Sequence, residues 1–324
     1  MSTRPSFPYC KGPYVSSTSH CAEFDFTAAM KLCLPSKGIT HAASSLSPDV
    51  KKTIMVISNV FEHSRTNFHY QSCRDLDDKR GYTCGFVGFT TSAGEALTVI
   101  QEYFKVKGEH SKLFAKFLPT LNEFSNTTRC HSEPKNADLY GFTDAWKKAA
   151  CDEKFRKVQV EVADQNILRP AIYLAGKAGI NSNLGKLIFY DTALQHGYEN
   201  DDGISLRSIM KLTGRHDTEH EYLNRFLQIR RQLLCCFPDN IWPESANRVS
   251  DLMNILEAKN FDLKPPITLR SYHITVKGNE ITNKECVGPE NAGNEPQPSD
   301  WKTMWSHRNS SNSSYHLHNR FHSD

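Results

Sequence analysis

Two carboxylates, Glu62 and Asp78, stand in sequence surroundings that differ in a chemically useful way. Glu62 follows Val60 and Phe61 at the end of an apolar helical pattern, where loss of solvent favours the neutral acid. Asp78 lies in the acidic run Asp75-Leu-Asp-Asp-Lys-Arg80, where water and a neighbouring arginine favour the ionised form. One carboxyl kept protonated and one kept ionised, on separate elements, make the pair that splits a glycosidic bond. The acid protonates the leaving oxygen while the base activates water on the opposite side. Composition alone argues weakly for this, because a glutamate ending a helix is more often a solvated surface group and an Asp-rich loop is more often a turn.

The elements that would hold this pair are legible nearby. Ser47 as N-cap, Pro48 at the first helical position, and Val50, Ile54, Ile57, Val60 and Phe61 at helical spacing predict an amphipathic helix ending near residues 62–64. After a polar connection, Gly81-Tyr-Thr-Cys-Gly-Phe-Val-Gly-Phe-Thr90 mixes glycine with β-branched and aromatic residues, as short twisted strands do. From Ser92 onward the apolar spacing is helical: Leu97, Ile100, Tyr103 and Phe104; Leu113, Phe114, Phe117 and Leu118; Trp146 to Ala178 with an interruption at Pro170; Leu184, Leu187, Ile188 and Leu194; Tyr222, Phe226, Ile229 and Leu233. The expected fold class is mostly α, an α+β chain with one small sheet. Residues 1–45 carry Ser, Pro and Cys without periodicity and read as an irregular extension. Residues 46–275 form the predicted domain, and 288–324 read as a disordered tail.

Whole-chain properties exclude several functions. With 39 basic against 36 acidic side chains and no long Lys/Arg run, nucleic acid is not an expected partner. No stretch reaches the ~18 apolar residues of a membrane span, so no membrane partner is expected. The opening MSTRPSFPYC lacks the apolar core of a secretory leader. The ten cysteines show no paired CxxC spacing, so neither metal nor cofactor is expected. Cys10, Cys21 and Cys33 could supply one disulfide, whereas Cys84, Cys235 and Cys236 in apolar runs read as small buried hydrophobes. Ser92-Ala-Gly-Glu95 reads as a helix capping box, and Thr218-Glu-His-Glu221 as another, in which Glu219 stays free. His196, before glycine after an apolar run, reads as a packed histidine.

Phe61-Glu-His-Ser64 followed by Asp78-Lys-Arg-Gly-Tyr-Thr-Cys-Gly-Phe-Val-Gly-Phe-Thr90 closely resembles the motif of glycoside hydrolase family 46, the chitosanases. Trp146-Lys-Lys-Ala149, Phe155 with Gln159, Phe189-Tyr-Asp-Thr-Ala-Leu-Gln-His-Gly197, Glu219 with Tyr222-Leu-Asn224, and Asn260-Phe-Asp-Leu-Lys-Pro-Pro266 extend the resemblance over residues 46–275. The resemblance implies a two-lobed, lysozyme-like fold with its sheet beside a cleft. It implies endo-hydrolysis of chitosan with inversion, by Glu62 as general acid, Asp78 as general base and Thr83 holding the attacking water. Arg80, Glu95 and Glu219 would contact substrate, and Arg80 would also pair with Asp78. Asp191, Arg215 and Arg230 would form a buried structural ion network.

Departures from the pattern bear on the sugar subsites. His63 stands where the family usually has asparagine, Phe68 stands near a usual tryptophan, and Arg74 occupies an often acidic place. The leaderless start is similar to the branch encoded by large algal viruses, which implies an extracellular, released or virion-associated protein; a monomer is expected. The alternative readings are a muramidase or chitinase, a carbohydrate-binding protein without catalysis, and a metal- or thiol-dependent hydrolase.

Overall fold

The computed structural model describes residues 46–76, 80–126, 136–198, 205–236 and 243–282. The expected extension 1–45, Asp78 with its neighbours Asp77 and Lys79, and the tail 288–324 lie outside the described residues.

Helix α1 (Pro48–His63) begins as its sequence dictates: Val50 N donates to the Ser47 hydroxyl at 3.3 Å, and Pro48 fills the first turn. It ends where Ser64 turns left-handed at φ 53°, its N–H donating to Val60 O at 2.8 Å. Nine successive residues, Thr53 to Phe61, are buried. An amphipathic helix was expected; a helix covered on all sides is found. Its partners include α7 (Asn183–His196) and the C-terminal strand β5 (Ile274–Val276).

The small sheet follows, with β1 (Cys73–Asp75), β2 (Tyr82–Cys84) and β3 (Phe89–Thr90) antiparallel in that order. In this register Thr83 faces Arg74 on one side and Thr90 on the other. Gly85 turns the chain from β2 toward β3 at φ +76°, and a Cβ there would meet Gln159 Oε1 at 2.5 Å, so only glycine fits. Cys84 is disulfide-bonded to Cys73 across the β1–β2 pair. Cys235 and Cys236 are disulfide-bonded too. These three therefore correct the reading of free, small hydrophobes; an apolar run does not distinguish a buried thiol from a buried cystine.

Around the sheet pack α2 (Glu95–Lys105), a 3-10 turn (Ser111–Phe117) running into α3 (Leu118–Asn126), α4 (Phe142–Ala149) and α5 (Glu153–Ala163). Trp146 is fully buried among Phe114, Phe142 and Phe155, and its indole N–H donates to Tyr70 O at 2.9 Å. Helix α5 passes through a π-turn (Asp164–Leu168) directly into α6 (Arg169–Lys177). Pro170 thus does not interrupt the helix, because its missing N–H falls where the hydrogen-bond register changes.

The remaining helices are α7, α8 (Leu206–Thr213), α9 (Glu219–Cys236) and α10 (Ala246–Glu257), with α9 packed on both α8 and α10. A hairpin of β4 (Ile267–Leu269) and β5 follows, where helical periodicity had simply faded. Three-residue strands bury too few alternating positions to signal themselves. Among the described residues, no helix is long and apolar enough to cross a membrane, and no cluster of three His, Cys, Asp or Glu could hold a metal ion.

Candidate active site

The last turn of α1 carries Glu62 out of the core, leaving 30 % of its side chain open to solvent. Arg248, in the first turn of α10, donates from Nη1 to Glu62 Oε1 at 2.8 Å and from Nη2 to Phe61 O at 3.2 Å. The same Nη1 lies 3.4 Å from Asp191 Oδ1. Asp191 Oδ2 in turn accepts from Arg230 Nη2 at 2.7 Å, and that guanidinium also donates to Gln195 Oε1 at 2.6 Å. Asp191 and Arg230 are completely buried. Two carboxylates thus face two guanidiniums, which lets the charges be buried without a net excess.

Arg248 stands where the sequence placed Arg215. Arg215 follows Gly214 beyond the end of α8 and is exposed, so no buried network includes it. Asp191 and Arg230 are both in the network. Arg248 was missed, although a signal existed: it shares a helical stripe with Leu252, Ile255 and Leu256, and a charge in an apolar stripe must find a buried partner.

Burial by itself would push the Glu62 carboxyl up, but the charge of Arg248 and its hydrogen bond, helped by His63 and Arg230, hold it below the usual carboxylate value. This reverses the expectation of a carboxyl kept neutral by apolar neighbours. Arg248 itself is raised, because Glu62 and Asp191 outweigh the burial that opposes its charge.

His63, beside Glu62, ties α1 to the turn between β2 and β3 through Nε2 and Phe86 O at 2.7 Å. A carbonyl can only accept, so Nε2 carries the hydrogen. Burial lowers this imidazole against the opposing pull of Glu62 and the Phe86 bond. Three residues before Phe86, the Thr83 hydroxyl is buried and makes no hydrogen bond among the described residues. A buried hydroxyl without a protein partner suits a water or a ligand.

The proposed contact residues are placed differently from one another. Glu95 begins α2 and accepts from Thr90 N at 2.9 Å and Thr90 Oγ1 at 3.0 Å. The helix is capped by left-handed Gly94 without a side-chain bond, so the expected capping box at Ser92 is not formed. The box at Thr218 is formed, with Glu221 N donating to Thr218 Oγ1 and Thr218 N to Glu221 Oε2, both at 3.2 Å. Glu219 is not free, since its two oxygens accept from Asn181 N and Ser182 N at 3.0 and 3.1 Å. Arg80 is exposed, with its carbonyl accepting from Ser92 N at 3.3 Å. Its expected partner, Asp78, is outside the described residues. His196 is lowered well below the ordinary histidine value by burial and by Arg230 and Arg248, as suits a packed, neutral ring.

The mostly helical chain with its small sheet matches the structures of known chitosanases. The native chitosanase from Bacillus subtilis MY002 superposes with a TM-score of 0.64 at 32 % identity, covering 72 % of this chain and 100 % of that one. The GH46 chitosanase of Gynuella sunshinyii, solved in complex with chitotetraose, gives 0.63 at 30 % identity over 72 % and 98 %. The chain is therefore a glycoside hydrolase. It belongs to glycosyl hydrolase family 46, whose model matches residues 56–267. The chitosanase of Bacillus subtilis (strain 168) is 35 % identical over 245 residues, 72 % of this chain and 86 % of that protein.

Proposed function

We propose that the protein is an endo-acting chitosanase that cleaves β-1,4 links between glucosamine units by single displacement. The observation that carries this reading is Glu62, held at the end of α1 on the Arg248–Asp191–Arg230 network, in a chain whose family relatives are chitosanases. Glu62 serves as general acid. Asp78 serves as general base, and the Thr83 hydroxyl holds the attacking water. The lack of a protein partner at Thr83 Oγ1 among the described residues supports that part of the assignment.

To donate a proton, Glu62 must first carry one. Covering it with sugar removes water, which raises a carboxyl, and a leaving oxygen that engages Oε1 competes with Arg248 for it. The remaining lone pairs of Glu95 and Glu219 face the ammonium and hydroxyl groups of the sugar, while Arg80 pairs with Asp78. Asp75, Asp77, Asp78, Glu62, Glu95 and Glu219 give the cleft the negative potential that a polycation requires, although the whole chain is formally +3. The Cys73–Cys84 disulfide supports an oxidising, extracellular destination. The protein acts as a monomer.

Digestion of fully deacetylated chitosan followed by NMR of the fresh products tests the reading. The α anomer is expected first, and Glu62→Gln is expected to slow hydrolysis by about a hundred- to ten-thousandfold while folding normally. Initial β anomer rejects the single displacement. Activity confined to acetylated chitin or peptidoglycan points instead to the chitinase or muramidase alternative.

A further inference from the structure

The chain returns to the site after residue 267, where the family match ends. The 3-10 turn Arg270–Tyr272 between β4 and β5 sets the Tyr272 ring against Phe61, with centroids 5.4 Å apart. The Tyr272 hydroxyl donates to Asn247 Oδ1 at 2.9 Å, and the same oxygen accepts the backbone N–H of Arg248 at 2.7 Å. The phenol oxygen also lies 3.5 Å from Phe61 O, the carbonyl of the peptide bond that leads into Glu62. That carbonyl already takes Arg248 Nη2. Ser271, next along the turn, anchors the hairpin to α10: its N–H reaches both Asp251 oxygens at 3.2 Å, and its hydroxyl donates to Asn247 O at 3.3 Å.

The hydroxyl of a half-buried tyrosine set into a packed corner needs some acceptor, and filling space needs only the ring. Here the acceptor is the side-chain oxygen that also receives the Arg248 amide, and the hydroxyl stands where the last turn of α1 meets the first turn of α10. We propose that Tyr272 is a positioning residue for the general acid: through Asn247 it fixes Arg248 against the last turn of α1, and so sets the Glu62–Arg248 hydrogen bond. This rests on the general-acid reading of Glu62. Facing that carboxyl are Arg248 from α10, Arg230 from α9, Tyr190 and Asp191 from α7, His63 from its own helix, and Tyr272. Burial raises the phenol, so it is neutral and acts through geometry rather than charge.

Tyr272→Phe keeps the ring and removes the hydroxyl. The basic limb of a kcat–pH profile reports the acid that must stay protonated. With Arg248 held less firmly, that limb is expected to move to higher pH by about half a unit or more, with kcat changed several-fold and KM nearly constant. Asn247→Ala removes the other half of the same contact and should move the limb in the same direction, and the double variant should add nothing further. A folded Tyr272→Phe with the parent's kcat and pH profile overturns the proposal. If that variant does not fold, an unshifted limb in Asn247→Ala overturns it equally. Glu62→Gln keeps the two readings apart. Its retained activity would reject the general acid, whereas an inactive Glu62→Gln beside an unaltered Tyr272→Phe rejects only the role of the tyrosine.

Discussion

Arg248 and Glu62, 186 positions apart in the sequence, meet at 2.8 Å, and the arginine also reaches Asp191 at 3.4 Å. One guanidinium thus joins the partly exposed carboxyl of the proposed general acid to a fully buried carboxyl of the scaffold. The acidity of Glu62 is therefore set by the packing of α10 against α1 and α7.

Arg248→Met tests that link, since it keeps most of the volume and removes the charge. Glu62 loses the group that holds it low, so its folded pKa rises and the basic limb of the kcat–pH profile should move to higher pH. A depressed carboxyl contributes stability above its unfolded value that is lost as pH falls through the folded one. The variant should therefore lose less stability than the parent on acidification. Thermal melts from pH 7 to pH 3 beside activity profiles decide this, and parallel curves for the two proteins count against it.

Arg230 and Arg215 should behave oppositely. Arg230→Ala leaves Asp191 buried with one arginine fewer, at a cost of roughly 3 to 5 kcal/mol. Arg215→Ala changes an exposed side chain and should stay within about 0.5 kcal/mol of the parent. Denaturant titration of both variants separates them; equal destabilisation would restore Arg215 to the network.

His69 should make the fold acid-sensitive. Burial, with Arg65, His63 and Arg74, lowers this imidazole from 6.5 to about 3. The unfolded chain then binds a proton that the folded chain refuses, so stability is full above about pH 6.5 and falls between there and about pH 3. His69→Gln should flatten that decline, as read from melting temperature against pH. An unchanged slope would place the acid sensitivity elsewhere.

The Cys73–Cys84 bond closes the segment carrying Asp78, the two cysteines lying 11 positions apart in the sequence. The paired Cys73→Ser, Cys84→Ser variant should lose about 2 to 4 kcal/mol. Its kcat should fall too, since β1 and β2 flank the proposed base and β2 carries Thr83. Unaltered turnover at a lowered melting temperature would show that the strands hold their register without the bond.

Local patterns determined a good deal by themselves. Ser47 and Pro48 start α1 and its apolar run ends it at Glu62, because capping and periodicity act within a few residues. The glycines between Tyr82 and Thr90 announced the hairpin for the same reason, and the motif around Glu62 and Asp78 was enough to suggest the family. Only the tertiary structure decided which charges meet. Arg230 shares a stripe with Phe226, Leu227, Leu233 and Leu234, and Asp191 one with Leu187, Ile188 and Leu194, and it was the family resemblance that marked both as buried charges. That Asp191 takes Arg248 rather than Arg215, that Glu62 is held acidic rather than neutral, and that Tyr272 reaches the same corner depend on how α1, α7, α9, α10 and the final hairpin pack. A side chain's partner and its pKa are set by what lies within a few ångströms in space, and separation along the chain carries almost none of that information.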